Sequence, residues 1–184
     1  SGLLFRQKLS NKYDQDLPFV SVVIAARNEE KNIANLLDDL ITQTIDKNNF
    51  EVIISDDRSE DETGKIINEY SRKYEFTKYI QITKKKDMSS KKYALEQAIK
   101  DSKGEIILAT DADCRVSKHW AISMANLVNK TNKVVIGYSK IKSKTTLINE
   151  IQKIDFFFFF ASNGGLLTNG IICSGYGQNL AYKH

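Results

Sequence analysis

Two short acidic segments in this chain have the composition of ligand-binding or metal-binding sites. The first is Asp56-Asp57, and the second is Asp111-Ala112-Asp113. Carboxylate oxygens suit Mg²⁺ and Mn²⁺, and Mg²⁺ in particular often binds through few protein groups together with substrate phosphates. Such a metal neutralises the charge that develops on a departing phosphate group. Asp111 and Asp113 are therefore candidate metal ligands.

Each segment also has a simpler interpretation. A DxD sequence occurs often by chance, and Asp111 and Asp113 fit a solvated turn capped by its Asp side chains. Asp57 fits the entry to a helix, because residues 59–61 (SED) favour a helix N-terminus. As binding groups, Asp56 and Asp57 are suited to accept a hydrogen bond from a nucleobase imide or a ribose hydroxyl.

The segments around these acids predict a parallel sheet. Residues 20–25 (VSVVIA) form an almost unbroken apolar run, which is typical of a strand buried on both faces. Further strands are predicted at 51–55, 78–82, 105–109 and 134–138, alternating with helical patterns. This alternation predicts βαβ units in one α/β domain, with a mostly parallel sheet and helices on both faces.

The acids follow the second and fourth predicted strands directly. In open parallel α/β sheets, ligands bind outside the carboxyl ends of the strands, so this position favours the binding interpretation. Other polar residues that follow the strands are predicted to cap helices. These predicted N-caps are Asn28, Ser59 and Ser90.

Length and composition exclude several classes of protein. The 184 residues suit one compact domain, with residues 1–17 as an N-terminal extension, and a net charge of +4 is too small for a nucleic-acid-binding protein. Cys114 and Cys173 lack the spacing of a zinc site. No apolar run approaches the roughly 20 residues of a membrane span. The chain begins without Met, and we interpret it as an excised part of a longer protein.

Four segments together resemble the family-2 glycosyltransferases with a GT-A fold. In chain order these segments are 22–32 (VVIAARNEEKN), 56–63 (DDRSEDET), 91–98 (KKYALEQA) and 111–113 (DAD). Residues 174–183 (SGYGQNLAYK) are similar to the segment near the acceptor site of that family. The resemblance covers most of the chain, and its specificity lies in the order and spacing of the segments.

The resemblance implies how the chain holds a nucleotide sugar. Ala25, Ala26 and Glu29 match positions where the end of the first strand surrounds the base and ribose. Asp57, with Asp56 beside it, matches an acid that contacts the base, usually uracil.

The resemblance also implies a diphosphate and metal site. Lys91 matches a basic position near the nucleotide or its diphosphate. Asp111 and Asp113 match the DxD motif, with Asp113 as the better metal ligand, for Mg²⁺ or Mn²⁺. Arg58 stands where the family commonly has Gly, which affects the expected shape of that turn.

The implied activity is inverting transfer of a sugar from a nucleotide sugar, usually a UDP-sugar, to a glycan or lipid-linked acceptor at the cytoplasmic face of the cell membrane. Members of the family use a downstream Asp or Glu as the general base. No Asp or Glu follows Asp155 in this sequence. We therefore expect this chain to bind donor and metal but to transfer sugar poorly or not at all.

Five consecutive phenylalanines, Phe156–Phe160, lie in a helical pattern that runs from Thr145 to Ala161. Such a run covers every side of a helix, so its rings cannot all face one core. Three interpretations remain: burial in the intact protein, insertion into an anionic membrane surface, and packing on a partner or on transmembrane helices. The lysines that favour the membrane interpretation are Lys140, Lys142, Lys144 and Lys153.

Three other classes of α/β protein are alternative interpretations of this sequence. A receiver-like signalling module is the strongest alternative, but its acid pair follows the first strand, where this chain has Ala26-Arg27-Asn28. A nucleotidyltransferase and a Rossmann dehydrogenase both need glycines after the first strand, and none occurs between Gly2 and Gly64.

Overall fold

The computed structural model describes residues 16–83, 89–131, 134–139, 151, 153–154, 157–158, 161 and 178–184. The described strands are β1 (Val20–Ala26), β2 (Phe50–Asp57), β3 (Thr77–Ile82), β4 (Ile106–Asp111), β5 (Val135–Ile136) and β6 (Asn179–Lys183). The described α-helices are α1 (Ile33–Ile41), α2 (Thr63–Lys73), α3 (Ser90–Lys100) and α4 (Trp120–Thr131), and a 3-10 turn covers Lys47–Asn49. Residues 151, 153–154, 157–158 and 161 are also helical.

The strands form one mostly parallel sheet in the order β3-β2-β1-β4-β6-β5. β1 pairs in parallel with β2 on one side and with β4 on the other. Along the chain, β2 and β3 are added in turn on one side of β1, and α3 then leads back to β4 on the other side of β1. This reversal creates a switch point between β1 and β4, and ligands of open α/β sheets bind at the carboxyl end of such a point.

Helices cover both faces of the sheet, as the sequence predicts. α1, α2 and α4 pack on one face, where Ile24, Ile54 and Leu108 are fully buried. α3 packs on the other face against a smaller cluster that includes Val23 and Ile53. Fully burying an aliphatic side chain of this size contributes about 1.5–3 kcal/mol, so the two apolar layers hold the strands in register.

The predicted caps Asn28 and Ser59 are wrong, because both residues instead join the two loops that follow β1 and β2. The Asn28 backbone N–H donates to Ser59 Oγ at 2.9 Å, and the Glu60 N–H donates to Asn28 Oδ1 at 2.9 Å. Asn28 has a φ of 53°, a left-handed conformation that Asn tolerates better than most residues. The N-cap positions are Asn32 for α1 and Glu62 for α2.

Four further expectations concern the start of α3, the last two predicted strands and the N-terminal residues. Ser90 is the first residue of α3, and Ser89 takes the N-cap position without a side-chain hydrogen bond. The strand predicted at 134–138 is reduced to two residues, and it pairs antiparallel with β6. The strand candidate Ile171–Cys173 and residues 1–15 lie outside the described residues. Within the described part of the chain, no helix has both the length and the apolar composition needed to cross a membrane.

A buried polar contact joins β1, β2 and the loop before β4 at the edge of the sheet opposite the acids. Ser21 Oγ donates to Glu51 Oε1 at 2.5 Å, and the Gly104 N–H donates to Ser21 Oγ at 2.8 Å. A Cβ atom on Gly104 would lie 2.5 Å from the Ser21 backbone nitrogen and 2.9 Å from the Ile106 carbonyl oxygen. Because both of these neighbours are backbone atoms, the loop has to move to accept any side chain.

We expect Gly104→Ala to lower the free energy of unfolding by about 2 kcal/mol, the usual cost of forcing an extra carbon into a packed region. Lys103→Ala is the matched control, since Lys103 is exposed in the same loop and keeps its backbone contact to Glu51. Urea unfolding of both variants measures the difference. If Gly104→Ala were as stable as the control, the close approach of this loop to β1 would be contradicted.

Candidate functional site

An open cleft of about 290 Å³ lies at the carboxyl ends of β1, β2 and β4, beside the start of α3. Its lining residues are Ala25, Ala26, Arg27, Glu29, Asp57, Lys91, Asp111, Ala112 and Asp113. The structure thus brings together all the predicted site residues except Asp56. It adds Arg27 and Ala112, which the sequence prediction does not include. The cleft coincides with the switch point of the sheet.

The alternation of side chains along the strands explains which acids enter the cleft. The strand residues packed on the α3 face include Val23, Ile53 and Ile107. Side chains repeat on one face every second residue, so Ala25, Asp57 and Asp111 continue the same face at the strand ends. Lys91, in the first turn of α3, approaches from the helix that covers this face.

Asp57 is a buried carboxylate held by two guanidinium groups. It is only 3% exposed. Arg58 donates to it through both Nε (2.8 Å, to Oδ1) and Nη2 (3.1 Å, to Oδ2), and Arg27 Nη1 lies 3.8 Å from Oδ2. A buried charge needs such partners to offset its lost hydration. A carboxylate has about four acceptor positions, so Asp57 can also accept a ligand N–H or O–H.

Arg58 adopts a φ of 57° in this turn, a conformation that glycine enters at less cost. This agrees with its place at a position where the family commonly has Gly. The two-pronged contact with Asp57 offsets part of that strain, because charge-assisted bidentate pairs are among the stronger hydrogen bonds. The turn therefore keeps the acid in the cleft with Arg in place of Gly.

Asp56 lies on the opposite face of β2 from Asp57 and outside the cleft. Its carboxylate accepts hydrogen bonds from the Ser59 backbone N–H at 3.0 Å and from the Tyr79 hydroxyl at 3.1 Å. Burial, together with the nearby Asp56 charge, raises the pKa of Tyr79 to about 12. The described contacts of Asp56 thus stabilise the turn after β2.

The DxD segment forms a turn at the end of β4. Asp111 is the last residue of β4, and the Cys114 N–H closes the turn by donating to the Asp111 carbonyl at 3.0 Å. Both acids line the cleft, but their surroundings differ. Asp111 Oδ1 is 2.7 Å from Lys91 Nζ, whereas Asp113 is exposed and has no ion-pair partner among the described residues.

The charges in the cleft fit a divalent cation shared with a ligand. Four acids and only two basic residues line it, and this excess of negative charge favours a cation. The described ranges contain no group of three or more His, Cys, Asp or Glu placed to hold a metal. Two carboxylates therefore fit Mg²⁺ or Mn²⁺ only where phosphate oxygens and water complete the coordination, which is how Mg²⁺ usually binds.

An ion pair between Arg115 and Asp39 holds the segment after the DxD turn against α1. Arg115 donates to Asp39 through Nε at 2.6 Å and through Nη2 at 2.8 Å, and the Val116 N–H also donates to Asp39 at 3.1 Å. The hydrogen bond from Arg115 is the main cause of a lowered pKa at Asp39. This contact holds the chain that leaves Asp113.

We expect Arg115→Ala to lower thermal stability at pH 7, with a difference that disappears in acid. The folded-state pKa of Asp39 lies below its ordinary value of 3.8, so its contribution is complete above that pH and is lost as pH falls through the lower folded value. Lys118→Ala, an exposed change in the same loop, is the control. Melting curves from pH 7 to pH 2.5 measure both, and a difference that persists unchanged at the acid end would contradict the assignment.

Comparisons of the sequence and of the fold with known proteins both match this chain to glycosyltransferases. Residues 21–183 match the family described as Glycosyl transferase family 2. A probable glycosyltransferase of Bacillus subtilis, YdaM, is 34% identical over 156 residues, which cover 82% of this chain and 37% of that protein. This chain therefore spans little more than a third of the length of that relative.

Solved structures share the arrangement of the sheet and helices. S. aureus TarS 1-349 in complex with UDP-GlcNAc superposes with a TM-score of 0.59 at 28% identity, covering 69% of this chain and 36% of TarS 1-349. The mannosyltransferase PcManGT of Pyrobaculum calidifontis reaches a TM-score of 0.68 at 20% identity, over 94% of this chain and 46% of its own. These likenesses confirm the predicted GT-A fold. Since the family match runs through nearly all of the sequence, this chain belongs to glycosyl transferase family 2.

Proposed function

We propose that this chain forms the donor-binding part of an inverting glycosyltransferase that uses a UDP-sugar and a divalent metal. One observation carries the proposal: a buried carboxylate and a DxD turn face the same cleft at the switch point of the sheet. The likeness to TarS, whose structure was solved with UDP-GlcNAc, supports a uridine nucleotide as the first ligand to test. A receiver-like module is not supported, because the acids follow β2 and β4.

In this proposal, the base and ribose occupy the part of the cleft between β1 and β2. Ala25 and Ala26 have small side chains there and leave room for a planar ring. Asp57 accepts the imide proton of the base, and Glu29 accepts a hydrogen bond from the ribose. The two hydrogen bonds from Arg58 hold the Asp57 carboxylate in position for this contact.

The diphosphate occupies the part of the cleft near β4. Asp113 and Asp111 would hold Mg²⁺ or Mn²⁺ here, and such an ion would supply positive charge to offset the negative charge of the leaving nucleotide. Arg27 and Lys91 line the same space and add positive charge. Preorganised charges of this kind stabilise a transition state in which a diphosphate departs.

We also propose that residues 1–184 bind the donor without efficient transfer to a glycan or lipid-linked acceptor. Inverting transfer needs a base for the acceptor hydroxyl, and no Asp or Glu follows Asp155. Incubation with a radiolabelled UDP-sugar and mixed acceptors tests this. Rapid transfer to an acceptor by this chain alone would contradict it.

Titration calorimetry with UDP, with and without Mn²⁺, tests the donor site directly. We expect UDP to bind at least about tenfold tighter with the metal, because a cation held by the acids would offset the charge of the diphosphate. GDP and CDP are the comparison ligands. Tighter binding of GDP would retain the glycosyltransferase proposal and correct the nucleoside. Failure of all three nucleotides to bind would remove its support.

A further proposal concerns membrane contact at the cytoplasmic face of the cell membrane through the region of Phe156–Phe160. The described helical residues Ile151, Ile154, Phe157 and Phe158 are 55–62% exposed and recur at intervals of three and four. An exposed apolar helical face near lysines is typical of binding to an anionic membrane surface.

We expect vesicles that contain anionic lipid to sediment with the protein at low salt, and less so at high salt because salt screens the lysine charges. Replacing Phe157 and Phe158 with Ser should reduce sedimentation severalfold. Val134→Ser is the matched control, since Val134 is 63% exposed elsewhere on the protein. Absence of the protein from anionic vesicles at low salt would contradict this contact.

A further inference from the structure

Lys91 crosses the cleft to reach the first acid of the DxD turn. Its Nζ lies 2.7 Å from Asp111 Oδ1, and both residues line the cleft. The side chain of Lys91 is 56% exposed and that of Asp111 is 25% exposed. Lys91 is therefore paired with an acid that belongs to the proposed metal site.

Two cations cannot use the same carboxylate oxygen at full strength. A divalent ion that approaches Asp111 competes with the ammonium group for the charge of this carboxylate, and the two cations repel each other. Asp113 presents no such obstacle, because the described residues contain no ion-pair partner for it. A metal arriving without nucleotide thus meets one accessible acid and one that is already paired.

The Lys91–Asp111 pair is easily exchanged for another partner. Ion pairs this exposed contribute little to stability, and a lysine ammonium is a point charge on a flexible stem. Lys91 also lies in the first turn of α3, where the backbone carries partial positive charge. That charge also attracts a diphosphate. Because a diphosphate carries more negative charge than one carboxylate, it would be a stronger partner for Lys91 within the same cleft.

We propose that Lys91 serves as an internal counterion for Asp111 in the metal-free site and moves to the donor diphosphate when metal and nucleotide bind. Lys91 thereby couples the binding of the two ligands. The proposal rests on the donor site proposed above. It adds that Lys91 weakens the binding of metal alone and strengthens the binding of the nucleotide when metal is present. By thermodynamic linkage, each ligand strengthens the other by the same factor, and loss of Lys91 reduces that factor.

Lys91→Met tests both effects, since Met keeps a flexible, unbranched side chain of similar length and removes its charge. We expect Mn²⁺ alone to bind about threefold to tenfold tighter to the variant, because Asp111 loses its competitor. We expect UDP at saturating Mn²⁺ to bind about tenfold weaker, because the diphosphate loses a cation. Free Mn²⁺ measured by electron paramagnetic resonance gives the first value, and calorimetry gives the second.

Lys92→Met is the matched control, because Lys92 is the exposed neighbour in α3 and does not line the cleft. It should change neither affinity. Lys91→Gln, a second neutral variant, should reproduce both effects, and melting curves confirm that all variants are folded.

Unchanged or weaker Mn²⁺ binding by folded Lys91→Met and Lys91→Gln would overturn the counterion role. Unchanged UDP affinity would overturn the transfer to the diphosphate. If UDP fails to bind the unmodified protein, the donor proposal fails separately, and the Mn²⁺ titration still decides whether Lys91 competes at Asp111.

Discussion

Asp113→Ala should lose most of the metal-dependent binding of UDP, with affinity at saturating Mn²⁺ falling about 100-fold, or about 2.7 kcal/mol. Asp113 is the exposed acid of the DxD turn and has no ion-pair partner in the described part of the chain. Its oxygens are thus the first that an incoming metal meets. Without them, the metal depends on Asp111, which Lys91 already engages.

Calorimetry with UDP and Mn²⁺ measures this effect, and the same titration without metal shows how much binding survives. We expect the variant and the unmodified protein to bind UDP almost equally when no metal is present. Asp101→Ala is the control, because Asp101 follows the far end of α3 and pairs with Lys78 outside the cleft. Retention of tight, metal-dependent binding by Asp113→Ala would exclude it as a principal ligand.

Asp57→Asn should weaken UDP binding about 30-fold while keeping the shape of the side chain. A carboxylate only accepts hydrogen bonds, whereas an amide also donates, so the variant presents an incorrect group to a base imide N–H. The guanidinium groups of Arg58 and Arg27 also lose their charged partner. A mismatched donor facing the imide N–H inside the cleft carries a cost of this size.

UDP methylated at the base N3 separates a contact with the base from a general effect on the cleft. If Asp57 accepts the imide proton, methylation should weaken binding to the unmodified protein but should cause little further loss in Asp57→Asn. Asp56→Asn is the matched control, since Asp56 is the adjacent acid on the other face of β2. A loss in Asp56→Asn as large as that in Asp57→Asn would contradict the assignment.

The parallel sheet follows from local sequence because its central strands contain short, continuous apolar runs. Val20–Ala26 and Phe50–Asp57 are both buried along most of their length, so each stands out without knowledge of its partner. The cleft acids are predictable for a related reason. They follow such strands directly, and the carboxyl ends of parallel strands meet at one edge.

The difference between Asp56 and Asp57 depends on where β2 ends. The strand predicted at 51–55 leaves both acids in a turn, where either could face the cleft. Pairing of Asp56 with Ala26 and of Asp57 with Ile82 extends β2 through both acids, so the alternation of faces separates them. This register depends on neighbouring strands.

Arg27 and the two incorrect caps show the same dependence on distant contacts. Arg27 directly follows the first strand, and this position could have identified it as a cleft residue. However, a basic residue in a polar loop is common at any protein surface. Asn28 and Ser59 have the side chains of helix caps. The hydrogen bonds that join the two loops connect residues about 30 positions apart in sequence, so local patterns do not identify them.

The antiparallel strand β6 has a consequence for the order in which the protein folds during synthesis. β6 covers the outer edge of β4, with Leu108 opposite Ala181, so the ribosome must add residues 112–178 before that edge has its partner. Until then, β4 presents unpaired backbone groups along an apolar segment, which favours association with other chains. The three strands before it can pair much earlier. We therefore expect the outer edge of β4, the strand that carries Asp111, to be the last part of the sheet to close, and nascent chains that end before Asn179 to be prone to aggregation.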